Sequence, residues 1–237
     1  MVMVAAPDRL LGARELMDQP GTEIGELAWT LKDLARINHF LGGRRLICGQ
    51  LASLLPDLPA PTRILDVATG YADIPRAVIR WAGRRGFSLA IEALDHDDRI
   101  LKLAGLATAA YPEIHFQHGN ALALPYPDRS FDIVLASLVL HHMEGEEPVR
   151  LLRELYRVAR RAVVVNDLRR GRLPFLAGWA GLHLVSRNRL IHHDGPLSFR
   201  RGFLPAELLA LAREAGWARI RVSRHAFFRL ALVGEKA

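Results

Sequence analysis

The sequence predicts an α/β fold with a mostly parallel sheet and helices on both of its faces. Short β-branched apolar runs alternate with helical patterns through the middle of the chain, which is typical of βαβ units. The 237 residues are 50% hydrophobic and 24% charged, which is enough to bury a substantial core. No linker rich in Ser, Gly or Pro and no internal repeat divides the chain. We therefore expect one domain that carries a terminal extension and one insertion.

The composition narrows the possible classes of protein. The net charge of +7 comes mostly from arginines scattered along the chain, a pattern more typical of general residue usage than of a nucleic-acid surface. The single cysteine, Cys48, cannot form an internal disulfide, which favours a reducing compartment. The apolar stretch 173–185 is shorter than the ~18–20 residues of a spanning helix, and Asp8, Arg9 and Arg14 interrupt the N-terminus where an export signal is apolar. We predict a cytoplasmic chain with no transmembrane segment.

The chain begins with a segment that is predicted to be helical over residues 8–55, with breaks at Pro20 and Gly42. Residues 1–58 are therefore predicted to form an N-terminal helical cap, and residues 59–237 the main domain. In the first part of the main domain, β-branched runs predict five strands. They lie at residues 63–67, 89–94, 114–118, 131–137 and 162–166. Patterns with a period of 3.6 predict the helices between them. These helices lie at residues 71–82, 98–110 and 146–158.

The pattern changes after the fifth strand. Residues 168–204 form an insertion rich in Gly and Arg, with a predicted helix over residues 173–185. Pro205 begins a further helix, which Gly216 ends. Two final β runs predict a terminal antiparallel hairpin. They lie at residues 218–223 and 226–233.

Polar and small residues follow the first three strands, at the edge where open α/β sheets bind ligands. The first strand runs into residues 66–70, Asp-Val-Ala-Thr-Gly, where the glycine allows a tight turn before the next helix. The second strand ends at Asp95, whose carboxylate can accept hydrogen bonds from both hydroxyls of a ribose. The third strand is followed by residues 118–121, His-Gly-Asn-Ala, and the fourth begins within residues 128–132, Asp-Arg-Ser-Phe-Asp. These motifs predict a cofactor that contains a ribose.

In order and spacing, the three motifs resemble those of the class I S-adenosylmethionine-dependent methyltransferases. The sequence is most similar to the branch that includes the ubiquinone and menaquinone biosynthesis enzymes and many small-molecule methyltransferases. The resemblance covers about residues 60–167 and implies a seven-stranded, Rossmann-like methyltransferase sheet whose last strand is antiparallel. It also implies S-adenosylmethionine as the cofactor and S-adenosylhomocysteine as the product. The residues that it implies for cofactor binding are Asp66, Ala68, Thr69, Gly70, Asp95, His96, Asn120, Ala121 and Ser137.

Two residues depart from the pattern of this family. Ala68 replaces the first glycine of the loop, which narrows the loop but still allows a turn of small residues. Asn120 replaces the acid that faces adenine, and its side-chain oxygen can still accept a hydrogen bond from the adenine amine. A dinucleotide is the competing cofactor. Its G-x-G-x-x-G fingerprint is absent, however, and Asp73 would lie close to the pyrophosphate charge.

Methyl transfer from a sulfonium needs an aligned acceptor and, for a phenol or an acidic carbon, a base, for which histidine is the natural candidate. His141 follows directly on the fourth strand and is the first candidate. His193, next to Asp194 in the insertion, is the second. Each of these histidines could instead be structural or solvated. We predict no metal, because the adjacent His192 and His193 are not expected to converge on one ion.

The N-terminal segment and the insertion 168–204 are expected to cover the acceptor pocket, so that the insertion lies on the substrate side. Asn38 and His39 in the first are predicted to contact the acceptor. In the second, the family resemblance implies that Arg200 and Arg201 lie near the mouth of the pocket, where Arg200 is predicted to meet an anionic acceptor. Aromatic residues of the same segments are candidates for an apolar wall. They are Trp29, Phe40, Phe175, Trp179 and Phe199.

The motifs and the resemblance predict a methyltransferase that acts on oxygen or carbon of a small aromatic, quinone-like or polyketide-like metabolite, as a monomer or a homodimer. Two alternatives stay open. A methyltransferase of RNA or another nucleic acid fits the basic charge, but the chain has neither the Pro-Pro-aromatic loop of amine methylases nor a Pro-Cys nucleophile. A non-catalytic protein that keeps the cofactor and contacts a partner through its cap is the other alternative.

Overall fold

A computed structural model describes residues 7–13, 15–18 and 21–236 of the chain. Arg14 and Pro20, on which two of the expectations above depend, lie outside the described residues. The strands are β1 Thr62–Val67, β2 Leu89–Asp95, β3 Ile114–His118, β4 Phe131–Ser137, β5 Ala159–Leu168, β6 Ile220–His225 and β7 Arg229–Glu235. The α-helices are α1 Ile24–Phe40, α2 Gly43–Leu54, α3 Asp73–Gly83, α4 Asp98–Ala107, α5 Glu147–Val158, α6 Arg172–Val185, α7 Arg189–Arg201 and α8 Pro205–Glu214.

The strands form one seven-stranded sheet in the order β3-β2-β1-β4-β5-β7-β6. Neighbouring strands are parallel except at β7, which runs antiparallel to both β5 and β6. The chain order reverses between β1 and β4, so their carboxyl ends flank the crevice in which such sheets bind ligands. The predicted α/β class, the seven strands and the terminal hairpin are confirmed.

Side chains alternate between two apolar clusters, one on each face of the sheet. In β1, Leu65 and Val67 face the cluster that α5 and α8 cover, whereas Ile64 faces the cluster of α2 and α3. This alternation follows from the period of two in a strand, and burial on both faces explains why the central strands are continuous apolar runs. Ile47 and Leu51 of α2 belong to the second cluster. The predicted boundary at residues 58 and 59 therefore runs through a shared core.

One expectation about the helices is wrong, and one helix is missing from the predictions. Residues 8–23, expected to be helical, contain among their described members only a short 3-10 turn, Leu16–Asp18. The insertion also holds a second helix, α7, which is absent from the sequence predictions. Asn188 caps α7 by accepting a hydrogen bond from the backbone N–H of Leu190 at 2.9 Å. The helix also contains Pro196, a residue that normally predicts a break.

Residues 7–13 and 15–18, which precede α1, cross the carboxyl edge of the sheet and are called the strap. Arg9 donates to the carbonyls of His141 and Met143 at 3.1 and 2.7 Å, and Asp194 accepts from two backbone N–H groups of the 3-10 turn. These bonds replace the helical hydrogen bonds that the strap lacks and fasten it over the crevice. None of the helices in the described part of the chain combines the length and the apolar composition needed to cross a membrane.

Candidate functional site

The carboxyl ends of β1, β2, β4 and β5 surround a cavity of about 710 Å³. Small-molecule sites typically measure ~300–1,000 Å³, so the cavity has the size of a cofactor site with an adjoining acceptor pocket. Helices α1 and α7 and the strap cover it from the other side. All the residues implied for cofactor binding line this cavity. They are Asp66, Ala68, Thr69, Gly70, Asp95, His96, Asn120, Ala121 and Ser137.

The loop after β1 folds into a tight turn that opens towards the cavity. Gly70 adopts a φ of 54°, a left-handed conformation that favours glycine. Ala68, at the position of the usual family glycine, also has a positive φ of 55° and therefore carries a steric cost of roughly 1 kcal/mol. Thr69 fixes the turn, since its hydroxyl donates to Asp66 at 2.7 Å and its backbone N–H donates to the carbonyl of Leu94 at 3.0 Å. The alanine thus keeps the predicted turn at a cost in strain.

Three carboxylates lie near this loop, and burial shapes their electrostatics. The pKa of Asp66 is raised to about 7. Burial is the main cause, the charges of Asp73 and Asp95 act in the same direction, and the hydrogen bond from Thr69 acts in the opposite direction. Burial also raises the pKa of Asp73, although its ion pair with Arg44 acts in the opposite direction. The cluster therefore favours a cationic group at this end of the cavity.

Asp95 joins the ends of β1 and β2. Its Oδ2 accepts from the backbone N–H of Gly70 at 2.9 Å, and its Oδ1 accepts from those of His96 and Asp97 at 2.8 and 3.2 Å. The side chain is buried yet lines the cavity, and a carboxylate has further acceptor capacity for ribose hydroxyls. At the end of β4, the buried hydroxyl of Ser137 has no hydrogen-bond partner among the described residues. An unsatisfied buried hydroxyl facing the cavity is consistent with a polar ligand at this point.

Asn120 is only partly available for the role that the resemblance implies. Its Oδ1 accepts from the backbone N–H of Leu122 at 2.8 Å, so one of the two lone pairs of this oxygen is already used. The side chain is exposed at the rim of the cavity. The oxygen can accept one further hydrogen bond from a ligand there.

At the other end of the cavity, His141 forms a buried pair with Asp167. The ring Nδ1 lies 2.7 Å from Asp167 Oδ1, and because an ionised carboxylate only accepts, Nδ1 is the protonated nitrogen of the neutral ring. Although burial alone would raise the pKa of Asp167, the His141 imidazole and the N–H of Leu168 lower it overall. Asp167 therefore holds the ring with Nε2 directed away from it. The 3-10 turn Leu140–His142, directly after β4, places His141 among the residues that line the cavity.

Glu15 of the strap completes a group that could hold a metal ion. Its Oε1 lies 3.8 Å from Nε2 of both His141 and His142, and the ligand atoms of the three residues lie within 4.8 Å of one another. Two imidazoles and a carboxylate are a known ligand set for transition metals. The other adjacent pair diverges as expected, because His192 Nε2 contacts the carbonyl of Ser186 and His193 Nδ1 contacts Asp194. The absence of a metal stays a prediction.

The structure separates the residues predicted for substrate contact. Asn38 lines the cavity, where its oxygen accepts from Arg229 at 2.8 Å. His39, His193 and Arg200 are exposed and do not belong to the cavity lining. His39 is the neighbour of Asn38 on α1 and points to another face, and the helical geometry of α7 likewise turns His193 and Arg200 outward. Of the five aromatic candidates only Phe199 lines the cavity, while Trp29, Phe40 and Trp179 are exposed.

Several residues of the site are missing from the sequence predictions. Asp167 ends β5 just as Asp66 and Asp95 end β1 and β2, so the rule that identified those two acids would also have found it. No sequence pattern predicts Arg229 as a residue of the site, because it lies at the start of an ordinary apolar strand. It is buried beside Asn38 and Asn166, and burial lowers its pKa to about 10 while Asp167 and Asp73 act in the opposite direction.

Known proteins with similar sequences are methyltransferases. Residues 65–165 match a family model described as a methyltransferase domain. The demethylmenaquinone methyltransferase of Lysinibacillus sphaericus is 32% identical over 99 residues, which are 42% of this chain and 40% of that protein. The enzyme of the same name from Bacillus licheniformis is 33% identical over 106 residues, which are 45% of this chain and 44% of that protein. These two matches therefore span less than half of each relative.

Solved structures of methyltransferases have a similar fold. A SAM-dependent methyltransferase from Aquifex aeolicus is similar over 89% of this chain and 98% of its own, with a TM-score of 0.64 and 17% identity. Human N-acetylserotonin methyltransferase in complex with SAM is similar over 91% of this chain and 57% of its own, with a TM-score of 0.64 and 15% identity. The fold is that of the S-adenosylmethionine-dependent methyltransferases. Residues 65–165, which match the methyltransferase domain model, form the central part of this fold.

Proposed function

We propose that this protein transfers a methyl group from S-adenosylmethionine to oxygen or carbon of a small aromatic, quinone-like or polyketide-like acceptor. One observation carries the proposal: a single cavity joins the loop and carboxylates after β1 and β2 to the buried pair of His141 and Asp167. The similarity to demethylmenaquinone methyltransferases favours a quinone-like ring. We further infer a cytoplasmic monomer or homodimer that acts on a small molecule and not on nucleic acid.

The residues after β1 and β2 would hold the cofactor. Asp66 and the loop around Gly70 suit the methionine part, since a buried carboxylate close to other acids favours its ammonium group. Asp95 suits the ribose, and Asn120 with Ala121 the adenine edge. When bound, S-adenosylmethionine supplies an activated methyl group on sulfur, so the protein has to align the acceptor and exclude water.

His141 would accept the proton of the acceptor. Because Nδ1 donates to Asp167, the lone pair of Nε2 is available, and Asp167 stabilises the imidazolium that forms. The backbone N–H of His141 also donates to Asp167 at 3.2 Å, which fixes the pair further. Apolar residues such as Leu138 and Phe199 line the cavity and keep water from this end. An acceptor with a weakly acidic hydroxyl or carbon suits this arrangement.

The experiment is to incubate the protein and S-adenosylmethionine carrying a labelled methyl group with host extract, and to count organic-soluble, RNA, DNA and protein fractions separately. We expect label in the organic-soluble fraction. Label in RNA would instead support the nucleic-acid alternative, and bound cofactor with no transfer would support the non-catalytic one. Dialysis against a chelator should leave the transfer unchanged; loss of activity that added metal restores would assign a metal to Glu15, His141 and His142.

The role of His141 is tested with two matched variants, His141→Gln and His193→Gln. We expect the first to lower kcat about 10²-fold or more, with an unchanged Kd for S-adenosylhomocysteine, as is typical of a lost general base. The second should change neither quantity, because His193 is exposed and does not line the cavity. The opposite pattern would assign the base to His193.

A further inference from the structure

Helix α6 presents an apolar face to solvent. Its large apolar side chains expose between 48% and 86% of their surface. They are Leu173, Leu176, Trp179, Leu184 and Val185. The exposed face also includes Ala177 and Ala180 and carries no acidic residue. Helices that are apolar on all sides are normally buried in a protein or placed against lipid, and apolar patches of this kind mark interaction sites.

The opposite face of α6 already has its partner. A Cβ atom at Gly178 would lie 2.2 Å from the ring of Phe199, and one at Gly195 of α7 would lie 2.1 Å from Leu182. The two glycines thus let α6 and α7 pack closely as a hairpin. Leu182 and Phe199 line the cavity from this hairpin. The outward apolar face is therefore not needed for packing within the chain.

The same surface continues to the mouth of the cavity. Phe227 lines the cavity and also exposes 51% of its surface, so it stands where the cavity meets solvent. It belongs to a short turn, residues 226–228, that packs against α6. Phe227 and Phe228 have φ values of 56° and 58°, a conformation that is an outlier for bulky residues and is found mostly where a site requires it. An apolar path therefore leads from α6 past Phe227 into the cavity.

The charges around α6 have one sign. No acidic residue occurs between Asp167 and Asp194, whereas five arginines do. Arg170 and Arg189 form ion pairs with acids of other segments, but Arg172 and Arg187, near the two ends of α6, are exposed and form no ion pair with any described residue. An apolar helical face suits the boundary of a bilayer, and exposed arginines at both of its ends add attraction to anionic headgroups.

We propose that α6 docks this protein on an anionic lipid bilayer, with Leu173, Leu176, Trp179 and Leu184 in the boundary between headgroups and acyl chains. A second copy of this chain is less suited to cover the apolar face of α6, because a symmetric antiparallel contact would bring Arg172 of one α6 against Arg187 of the other. Phe227 then faces the lipid, and a lipid-soluble acceptor enters the cavity beside it. The entry of the acceptor rests on the proposed function, whereas the docking does not.

Docking is measured by co-sedimentation of the full chain, without any methyl donor, with phosphatidylcholine vesicles that contain or lack phosphatidylglycerol. We expect the unchanged protein to bind the anionic vesicles. The variant Leu176→Asp should bind them at least about tenfold more weakly. The matched control is Leu106→Asp, which places the same charge on α4 at a leucine that is 73% exposed. The control should bind as the unchanged protein does.

The role of the charges is tested with two double variants of equal net charge. Arg172→Glu with Arg187→Glu should weaken binding to the anionic vesicles about tenfold or more, since each arginine near the surface adds to the attraction. Arg153→Glu with Arg213→Glu, at exposed arginines of α5 and α8, should weaken it far less. Retained circular dichroism and S-adenosylhomocysteine affinity would show that each variant is folded.

Three results would overturn the docking. They are no binding to either kind of vesicle, an equal loss in the Leu106→Asp and Leu176→Asp variants, and a dimer in sedimentation velocity that only Leu176→Asp dissociates. Because vesicle binding is read without turnover, a chain that docks but transfers no methyl group contradicts the proposed function alone. A chain that transfers methyl but ignores vesicles contradicts the docking alone.

Discussion

Asp95 connects two strand ends through a single carboxylate. Because Gly70, His96 and Asp97 all donate backbone N–H groups to it, the carboxylate is already oriented before a ligand arrives. We expect Asp95→Asn to weaken binding of S-adenosylhomocysteine by about 1–3 kcal/mol, since a charge-assisted hydrogen bond to the ribose is lost. Isothermal titration calorimetry measures this change.

The matched control for Asp95 is Asp98→Asn. Asp98 is exposed in the first turn of α4 and does not line the cavity, so its replacement removes the same charge without touching the site. The affinity of Asp98→Asn for S-adenosylhomocysteine should stay within about twofold of that of the unchanged protein, as is usual for a screened surface charge. Equal affinities for all three proteins would place the ribose elsewhere.

Asp66 makes cofactor binding depend on pH. Burial raises its pKa to about 7, and the bound cofactor carries an ammonium group that favours the carboxylate over the carboxylic acid. The Kd for S-adenosylhomocysteine should therefore rise about tenfold as the pH falls from about 8 to about 6. In Asp66→Asn the affinity should be weak and nearly independent of pH. A pH dependence that survives this substitution would belong to another group.

The same acid affects the stability of the protein without cofactor. Its pKa is higher in the folded than in the unfolded state, so the folded state binds more protons between about pH 4 and pH 7. The Asp66 contribution to the free energy of unfolding therefore falls as the pH rises through this window, and the full penalty is present above pH 7. We expect Asp66→Asn to unfold at a higher temperature than the unchanged protein at about pH 8, and by a smaller margin at about pH 5.

Single residues of the site differ in how far the sequence predicts them. Asp66 and Asp95 are predictable because they end apolar strands, and the geometry of a parallel sheet brings such ends together. His39 and Arg200 are not, because a one-residue step along a helix rotates a side chain by about 100° and decides whether it faces the cavity. Arg229 reaches the site only through the antiparallel return of β7, which no local pattern encodes.

Packing of α6 on α7 gives a prediction for whole elements. Gly178→Ala places a methyl group 2.2 Å from Phe199, so the two helices must separate. We expect a loss of about 1–3 kcal/mol in the free energy of unfolding, as is typical of overpacking. Gly181→Ala, in the same helix with nothing within 4 Å of its added Cβ, should instead gain about 0.5–1 kcal/mol from helix propensity. Urea unfolding of both variants measures the difference, and a loss in both would mean that α6 packs differently.

The elements themselves follow from the sequence where they repeat a simple period. The strands of the central sheet are predictable because burial on both faces requires continuous apolar runs. Helix α7 is less regular, since Gly195 and Pro196 lie in its middle and both have low helix propensity. Gly195 allows close packing against Leu182, which no local pattern encodes. The strap is held by Arg9 and Asp194 through partners more than a hundred residues away, and such contacts leave no periodic signal.

At the scale of the whole molecule, the cap and the sheet share one core. Ile47 and Leu51 of α2 pack in the same cluster as β1 and α3, and the strap is bonded to residues after β4 and in α7. Because these contacts are lost together, we expect a single cooperative unfolding transition for the full chain. Two separate transitions in calorimetry would show that residues 1–58 are an independent unit.

The cofactor should stabilise this whole unit. A ligand that binds only the folded state adds about 2.7 kcal/mol when its concentration is about a hundred times Kd, which corresponds to a rise of roughly 5–10 °C in Tm for a chain of this size. S-adenosylhomocysteine should produce this rise, and NADH should not, because Asp73 and the loop around Gly70 offer no place for a pyrophosphate. A rise in Tm with NADH would instead assign a dinucleotide as the cofactor. A single transition that shifts as a whole would show that the strap, α1 and the sheet respond to the cofactor as one body, which is what a cavity lined by all three requires.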